Sequence, residues 1–252
     1  MKRKICIAGI VLLCAVFLFS GFMIYRHYAE EQKQMNEFEH IAGLIETSSE
    51  QPTDTPPNED KQTIPDYSEL YRQNPDMIGW IAIDGTSINY PVMQTVDRPK
   101  FYLKHNFKKE YSDYGVPFVD ENCNISASDN IIIYGHHMKG GKMFGALESY
   151  KNKSFYEQHK IIRFNTLTEK ADYEIIAVFK TVAYSSNGFA YSAFINAADE
   201  NEFNEYVAKC KGLSFYDTGL SAEYGNKLIT LSTCEYSNTN GRLVVVAKKI
   251  ID

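Results

Sequence analysis

Basic residues are too few in this sequence to indicate an anionic partner. The 252-residue chain has 26 lysines and arginines against 32 acidic residues, which gives a formal net charge of −6 at pH 7. Lys2, Arg3 and Lys4 precede a long apolar run, so the rest of the chain is more acidic still. Nucleic acids and anionic surfaces are bound through an excess of positive charge. The composition therefore argues against nucleic acid as a partner.

Cysteines are also few, and their spacing fits neither a disulfide framework nor a zinc site. Cys6 and Cys14 lie within the apolar run, which leaves Cys123, Cys210 and Cys234 outside it. An odd number of thiols without paired spacing gives no disulfide framework, and no cluster of Cys, His and acidic residues has the spacing of metal ligands. We therefore expect no metal and no cofactor. Cys210 is expected to fill a small space in the core, and Cys123 to be structurally neutral in a polar loop.

The apolar run at the N-terminus predicts a membrane helix. Residues 5–25 contain no charged residue and are long enough to cross a bilayer. The basic residues before the run place residues 1–4 in the cytoplasm and the rest of the chain outside, by the positive-inside rule. A cleaved signal peptide is the competing interpretation, but the run is longer than a usual signal core and no A-x-A-like site ends it. We predict an uncleaved, single-pass anchor in the cell membrane.

Two accessory segments follow the predicted anchor. Residues 26–46 carry apolar side chains at a helical spacing, which predicts a juxtamembrane helix. Residues 47–63 hold no apolar residue other than proline, so they cannot bury surface and are expected to form a flexible, semi-extended linker. This linker would hold the domain formed by residues 64–252 away from the membrane.

Residues 64–252 are predicted to form a mainly β domain. Short apolar or alternating runs separated by turn residues are typical of a barrel or a sandwich, and the pattern does not choose between them. The predicted strands are Trp80–Ile83, Ser87–Val92, Gly115–Val119, Asn130–Tyr134, Ile161–Phe164, Tyr173–Thr181, Leu228–Leu231 and Leu243–Ala247. Helices are predicted at Tyr67–Asn74, at Lys142–Tyr150 and at Asp199–Cys210, the last with acidic residues at its start.

Three predicted strand ends carry side chains suited to acyl transfer. One strand ends in TLSTC at Cys234 and the next begins beside Arg242, so a thiol and a guanidinium should meet at one edge of the sheet. Upstream, DNIIIYGHHM leads an Ile-rich strand into Gly135 and His136. Nearby positive charge favours the thiolate, which is the nucleophilic form of cysteine. These side chains would supply a nucleophile, a proton carrier and a cationic partner for an oxyanion.

These motifs carry a family resemblance. TLSTC followed by an arginine, with YGHHM upstream, resembles the sortases, which are cysteine transpeptidases of Gram-positive bacteria. NPDMIGWIAIDGTSINYPVMQ, at Asn74–Gln94, is similar to the opening of class B catalytic domains. The resemblance covers roughly Tyr67 to the C-terminus. It implies a closed, eight-stranded sortase-type β-barrel with a few peripheral helices.

Other side chains near the strand ends are further candidates for the site. His136 and His137 are adjacent, so on an extended backbone their side chains point to opposite faces, and only one can face Cys234. The resemblance selects His136, with His137 as the alternative. Ser232 shares the face of Cys234 and either binds substrate or a loop, or is a structural hydroxyl. Glu235 is expected to be a solvated acid, with electrostatic orientation of the histidine as the alternative.

The resemblance implies an extracellular transpeptidase. Such an enzyme cleaves the C-terminal sorting signal of a secreted protein through a thioester and transfers the protein to an amine of peptidoglycan or its lipid-linked precursor. Class B members typically use Asn-Pro-x-Thr-like motifs. An extracellular cysteine peptidase or wall amidase would use the same chemistry with water as the acceptor, but such folds usually place the Cys upstream of the His. A non-catalytic surface-binding module is the third possibility, against which the intact Cys, His and Arg argue.

Overall fold

Eight strands close into a barrel, in the order β1-β2-β3-β4-β7-β8-β6-β5. The computed structural model describes residues 2–49, 66–183 and 188–250. Its strands are β1 (Met77–Ala82), β2 (Asn89–Met93), β3 (Phe118–Val119), β4 (Asn130–Tyr134), β5 (Ile161–Thr166), β6 (Asp172–Val182), β7 (Leu228–Cys234) and β8 (Gly241–Lys249). The prediction of a closed, mainly β barrel is confirmed, and each predicted strand overlaps one of these eight.

The strand β3 is shorter than the predicted Gly115–Val119 because the chain before it bonds elsewhere. The N–H of Val116 donates to the carbonyl of Tyr102 at 3.0 Å, and Pro117 has no N–H to offer a neighbouring strand. Gly115 has a φ of +57°, and a Cβ there would lie 2.4 Å from the Tyr102 carbonyl oxygen. A close backbone approach therefore replaces strand pairing in this segment.

The strand β7 lies between β4 and β8 in the barrel. It pairs in parallel with β4, where Tyr134 lies opposite Ser232, and antiparallel with β8, where Cys234 lies opposite Arg242. Its residues from Leu228 to Thr233 are buried, as expected for a strand that is covered on both faces. The apolar composition of β4 and β7 thus places both strands inside the fold, and only their ends reach solvent.

Helices lie in the connections between the strands of the barrel and before its first strand. Among the described residues of the barrel domain, the helices of six or more residues are α2 (Ser68–Gln73), a 3₁₀ helix over Phe144–Lys151, α3 (Lys153–Gln158) and α4 (Glu200–Leu213). In α4, the Asp199 side chain caps the first turn by accepting from the N–H of Glu202, and Phe203, Tyr206 and Cys210 are buried. The three predicted helices are therefore present, the second as a 3₁₀ helix, whereas α3 was not predicted.

The N-terminal part of the chain is a single helix, α1 (Lys2–Ser49). Among the described residues, it is the one helix long and apolar enough to cross a membrane, with a mean hydropathy of 2.0 in its most apolar window. It runs without a break through the predicted anchor and juxtamembrane segments and extends into the start of the predicted linker. Residues 50–63 of that linker lie outside the described residues. This helix is compatible with a membrane anchor.

Candidate active site

The hairpin of β7 and β8 places a thiol beside a guanidinium. Cys234 is the last residue of β7 and is directly paired with Arg242. The intervening loop is closed by two hydrogen bonds, from the N–H of Glu235 to the carbonyl of Gly241 at 2.9 Å and from the N–H of Gly241 to the carbonyl of Asn238 at 3.0 Å. A Cβ at position 241 would lie 2.2 Å from the Glu235 carbonyl oxygen, so the close turn requires glycine.

The end of β4 brings His136 to the same edge of the barrel. The parallel pairing continues one residue past the end of β4, because the N–H of Gly135 donates to the carbonyl of Ser232 at 3.1 Å. The hydroxyl of Thr233 donates to the carbonyl of Gly135 at 2.8 Å. A Cβ on Gly135 would lie 2.6 Å from the buried ring of Phe144. The position of His136 is therefore fixed by the Thr233 hydroxyl, by the backbone bond to Ser232 and by the close packing at Gly135.

The half-buried His136 ring is held by a backbone carbonyl. Its Nε2 lies 2.6 Å from the carbonyl oxygen of Leu103, and because a carbonyl only accepts, Nε2 is the protonated nitrogen in this bond. Burial lowers the pKa of His136, and the bond to Leu103 offsets part of that effect. A lowered pKa favours the neutral ring near pH 7, which can both take and return a proton.

A cavity of about 760 Å³ opens where these strand ends meet. His136, Cys234 and Arg242 all line it. Its remaining wall comes from Lys100, Leu103, Phe118, Asp120, Glu121, Tyr134, Gly135, Val182, Ala183, residues 188–192, Ser232 and Thr233. The nucleophile, the imidazole and the guanidinium predicted from sequence therefore share one concave surface.

His137 lies elsewhere. It does not line the cavity; instead its Nδ1 lies 2.8 Å from the carbonyl oxygen of Cys234, to which it donates. Its ring packs against that of the exposed Tyr236, with ring centroids 5.1 Å apart. The adjacent histidines thus contact different parts of the structure, one the cavity and the other the backbone that carries the thiol.

The charge of Arg242 is left available for a ligand. Its Nη1 donates to the carbonyl of Gly241 at 2.9 Å, and among the described residues it makes no ion pair with a carboxylate. A guanidinium has five donors, so this single bond leaves a fork of donors beside Cys234. Such a fork suits an oxyanion or a carbonyl oxygen.

Ser232 contacts a loop that forms part of the cavity wall. Its side chain is 1% exposed, and its Oγ lies 2.6 Å from the hydroxyl of Tyr191. Tyr191 begins the 3₁₀ helix Tyr191–Ala193 in the segment between β6 and α4. Of the alternatives open for Ser232, the bond to a loop is the one the structure contains. Sequence reasoning did not find Tyr191, because no motif surrounds it.

The expectation that Glu235 is a solvated acid is wrong. Its side chain is 5% exposed and its Oε1 accepts from the Lys151 ammonium at 2.8 Å. Its Oε2 accepts from the N–H and the hydroxyl of Ser237, at 3.1 and 2.6 Å. Burial raises the pKa of Glu235, but the bonds to Lys151 and Ser237 outweigh it and lower the pKa to about 2. Sequence reasoning missed Lys151 because it lies on a 3₁₀ helix that is 84 positions away from Glu235 in the sequence.

The other two cysteines of the barrel are buried. Cys210 is a buried residue of α4 and belongs to the core cluster, as expected. Cys123 is 4% exposed, and its sulfur accepts a hydrogen bond from the N–H of Ile132 at 3.5 Å. Burial raises the pKa of Cys123 to about 11 and that of Cys210 to about 12. Cys234, half-buried in the cavity wall, is therefore the thiol of the barrel that is placed to react.

Comparisons with known proteins agree on one family. The Sortase domain family matches residues 81–250. The sortase B of Staphylococcus aureus (strain NCTC 8325 / PS 47) is 30% identical over 99% of this chain and 98% of its own length. That of Listeria monocytogenes serovar 1/2a is 31% identical over 95% of this chain and 94% of its own. The solved Staphylococcus aureus sortase B–substrate complex superposes with a TM-score of 0.75 at 30% identity, covering 88% of this chain and 98% of that one.

The thiols should differ sharply in reactivity. At pH 8, about 1 in 1,000 or fewer of the Cys123 and Cys210 side chains would be thiolate, and both are buried. We expect iodoacetamide to alkylate Cys234 of the native full-length chain well before either of them, as measured by mass spectrometry of the corresponding peptides. Labelling in denaturant, where all three should react, is the control. Equal native rates for Cys123 and Cys234 would contradict this assignment.

Proposed function

The chain belongs to the sortase family, in its class B, and is a cysteine transpeptidase; from this membership we propose a membrane-anchored enzyme that attaches secreted proteins to the cell wall. Residues 5–25 anchor it with the N-terminus in the cytoplasm, and the catalytic domain of residues 64–252 lies outside the cell. The observation that carries the proposal is the shared cavity of Cys234, His136 and Arg242.

The first half-reaction forms a thioester. The Cys234 thiolate attacks the carbonyl carbon of a backbone amide in the sorting signal, and the carbonyl oxygen becomes an oxyanion. Arg242 donates to that oxyanion, a kind of contact that stabilises the transition state by about 3–4 kcal/mol per donor in acyl transfer. The neutral His136 takes the thiol proton to leave that thiolate, and the imidazolium gives this proton to the leaving amine as the C–N bond breaks. The leaving segment departs, and the acyl group stays on sulfur.

The second half-reaction transfers the acyl group to an amine. The neutral His136 removes a proton from the incoming amine, whose nitrogen attacks the thioester carbon. Arg242 again stabilises the oxyanion, and the C–S bond breaks to return the thiolate. The product is a new amide and no water is consumed. We assign the amine to peptidoglycan or its lipid-linked precursor.

The substrate would be an extended peptide lying in the cavity. We propose a C-terminal sorting signal that contains an Asn-Pro-x-Thr-type motif. The last residue of this motif presents its carbonyl to Cys234. Ser232 and Tyr191, which bond to each other in the cavity wall, would border this peptide and offer hydroxyls to its backbone. The similarity to a Staphylococcus aureus sortase B solved as a substrate complex supports this placement.

A ligation assay tests the proposed activity. The full-length chain in detergent is incubated with an Asn-Pro-x-Thr-containing peptide, with and without a glycine-based amine, and products are identified by mass spectrometry. We expect an amine-dependent ligated product and a thioester adduct on Cys234, both absent in Cys234→Ala. Hydrolysis that is indifferent to added amine would instead identify a cysteine peptidase or amidase. Inertness towards a panel of sorting peptides would indicate a binding module.

The two histidines should separate in the same assay. His136→Ala removes the cavity imidazole, and we expect kcat to fall roughly 100- to 10,000-fold because proton transfer is lost. His137→Ala removes one hydrogen bond to the Cys234 carbonyl, so kcat of this variant should fall by no more than about tenfold. Steady-state kinetics of both variants measure the difference. An essential His137 with a dispensable His136 would reverse the assignment.

Arg242 should not be replaceable by another cation. Arg242→Lys keeps the positive charge but loses the planar fork of donors. We expect kcat to fall on the order of 100-fold, with a smaller change in KM, because the lost contact forms mainly in the transition state. Lys209→Arg, the reverse exchange at an exposed position of α4, is the control for an exchange of lysine and arginine at constant charge. Turnover of Arg242→Lys near that of the parent would remove the oxyanion role.

A further inference from the structure

A partly buried ion pair includes the residue that follows Cys234. Glu235 follows Cys234 in the chain, is 5% exposed, and accepts from the Nζ of Lys151 at 2.8 Å. The other carboxylate oxygen of Glu235 holds Ser237 through its N–H and its hydroxyl. The Nζ of Lys151 also donates to Glu148, whose side chain is 44% exposed, at 2.6 Å. The lysine therefore has two carboxylate partners, and only one of them belongs to the hairpin that carries Cys234.

Through this pair, Lys151 connects the segments that carry the proposed catalytic groups. The lysine ends the 3₁₀ helix Phe144–Lys151, and the N–H of Phe144 at the start of that helix donates to the carbonyl of His136 at 2.9 Å. At the other side of the pair, Glu235 closes the β7–β8 loop through its bond to Gly241, next to Arg242. One end of the connection is therefore the histidine segment, and the other is the turn that sets the thiol beside the guanidinium.

We propose that Lys151 is a positioning residue, which fixes the Cys234–Arg242 hairpin relative to His136 by pairing with Glu235. The role rests on the proposed function, because it concerns the placement of the proposed catalytic groups. Lys151 itself does not line the cavity. A carboxylate in a buried position is costly when its cationic partner is removed. Without Lys151, Glu235 relieves that cost by turning towards water, and the turn that contains Ser237 and Gly241 moves with it.

Such a movement should affect turnover more than binding. Misplacement of reacting groups by about 1 Å can cost on the order of 100-fold in rate. The walls of the cavity that would contact the peptide come largely from other segments, including residues 188–192 and Leu103. We therefore expect kcat to fall about 10- to 100-fold in Lys151→Met and in Glu235→Gln, with KM changed by less than about threefold.

The matched control is Glu148→Gln, which removes the other partner of the same lysine and should leave kcat near that of the parent. Lys151→Arg keeps the charge and should restore most of the activity. The double variant Lys151→Met/Glu235→Gln should be no slower than the worse single variant, because both substitutions break one interaction. Thermal unfolding of each full-length variant shows whether it is folded. If Lys151→Met does not fold, Glu235→Gln, which keeps the shape of the side chain, decides.

The pH profile of Cys234 alkylation separates positioning from direct electrostatics. Lys151→Met removes a positive charge and Glu235→Gln a negative one, so direct electrostatics would shift the alkylation midpoint in opposite directions. Movement of the turn that contains Gly241 would carry the adjacent Arg242 away from the thiol, and this should instead raise the midpoint in both variants, by about 0.5–1 pH unit. A parental midpoint and parental kcat in Glu235→Gln, or opposite shifts in the two variants, would overturn the proposal. Because alkylation needs no substrate, this result stands even if the parent chain fails to ligate peptides.

Discussion

The pairing of Cys234 with Arg242 across β7 and β8 is the constraint on which the site depends. The antiparallel register of the hairpin puts the proposed nucleophile and a permanent positive charge side by side before any ligand arrives. The register is set by the apolar residues of both strands and by a turn in which only glycine fits at position 241. Because the hairpin is part of the closed barrel, the chemistry needs no rearrangement of the fold to bring these two groups together.

The histidine depends on a second constraint, the parallel pairing of β4 with β7. At the end of this pairing, the residue before Cys234 contacts the residue before His136, since the Thr233 hydroxyl donates to the Gly135 carbonyl. His137 adds a further contact from the same segment to the carbonyl of Cys234. The backbone around the thiol is therefore held from both sides, by β8 and by the segment after β4. Rigid support of this kind is what a preorganised site requires.

Periodicity and composition predicted much of the barrel, and motifs predicted three side chains that line its cavity, those of His136, Cys234 and Arg242. Buried strands such as Asn130–Tyr134 are visible because a strand covered on both faces needs a continuous apolar run. The choice of a barrel over a sandwich came from the family resemblance, since closure depends on pairings between distant strands. Contacts from loops could not be predicted, because Tyr191 and Lys151 reach Ser232 and Glu235 across long sequence separations. For the same reason, the sequence predicts a solvated acid at Glu235, whereas in the structure this side chain is 5% exposed and paired with Lys151.

The parallel contact between β4 and β7 also has a consequence for how the molecule is made. Thr233 and Gly135 are 98 positions apart, so the reactive edge appears only after a large loop has closed, which is a slow kind of event in folding. While the chain is incomplete or unfolded, the thiol has neither its guanidinium neighbour nor its imidazole. It should then have the reactivity of an ordinary cysteine. The topology thus ties the chemical surroundings of the Cys234 thiol to the completion of the barrel.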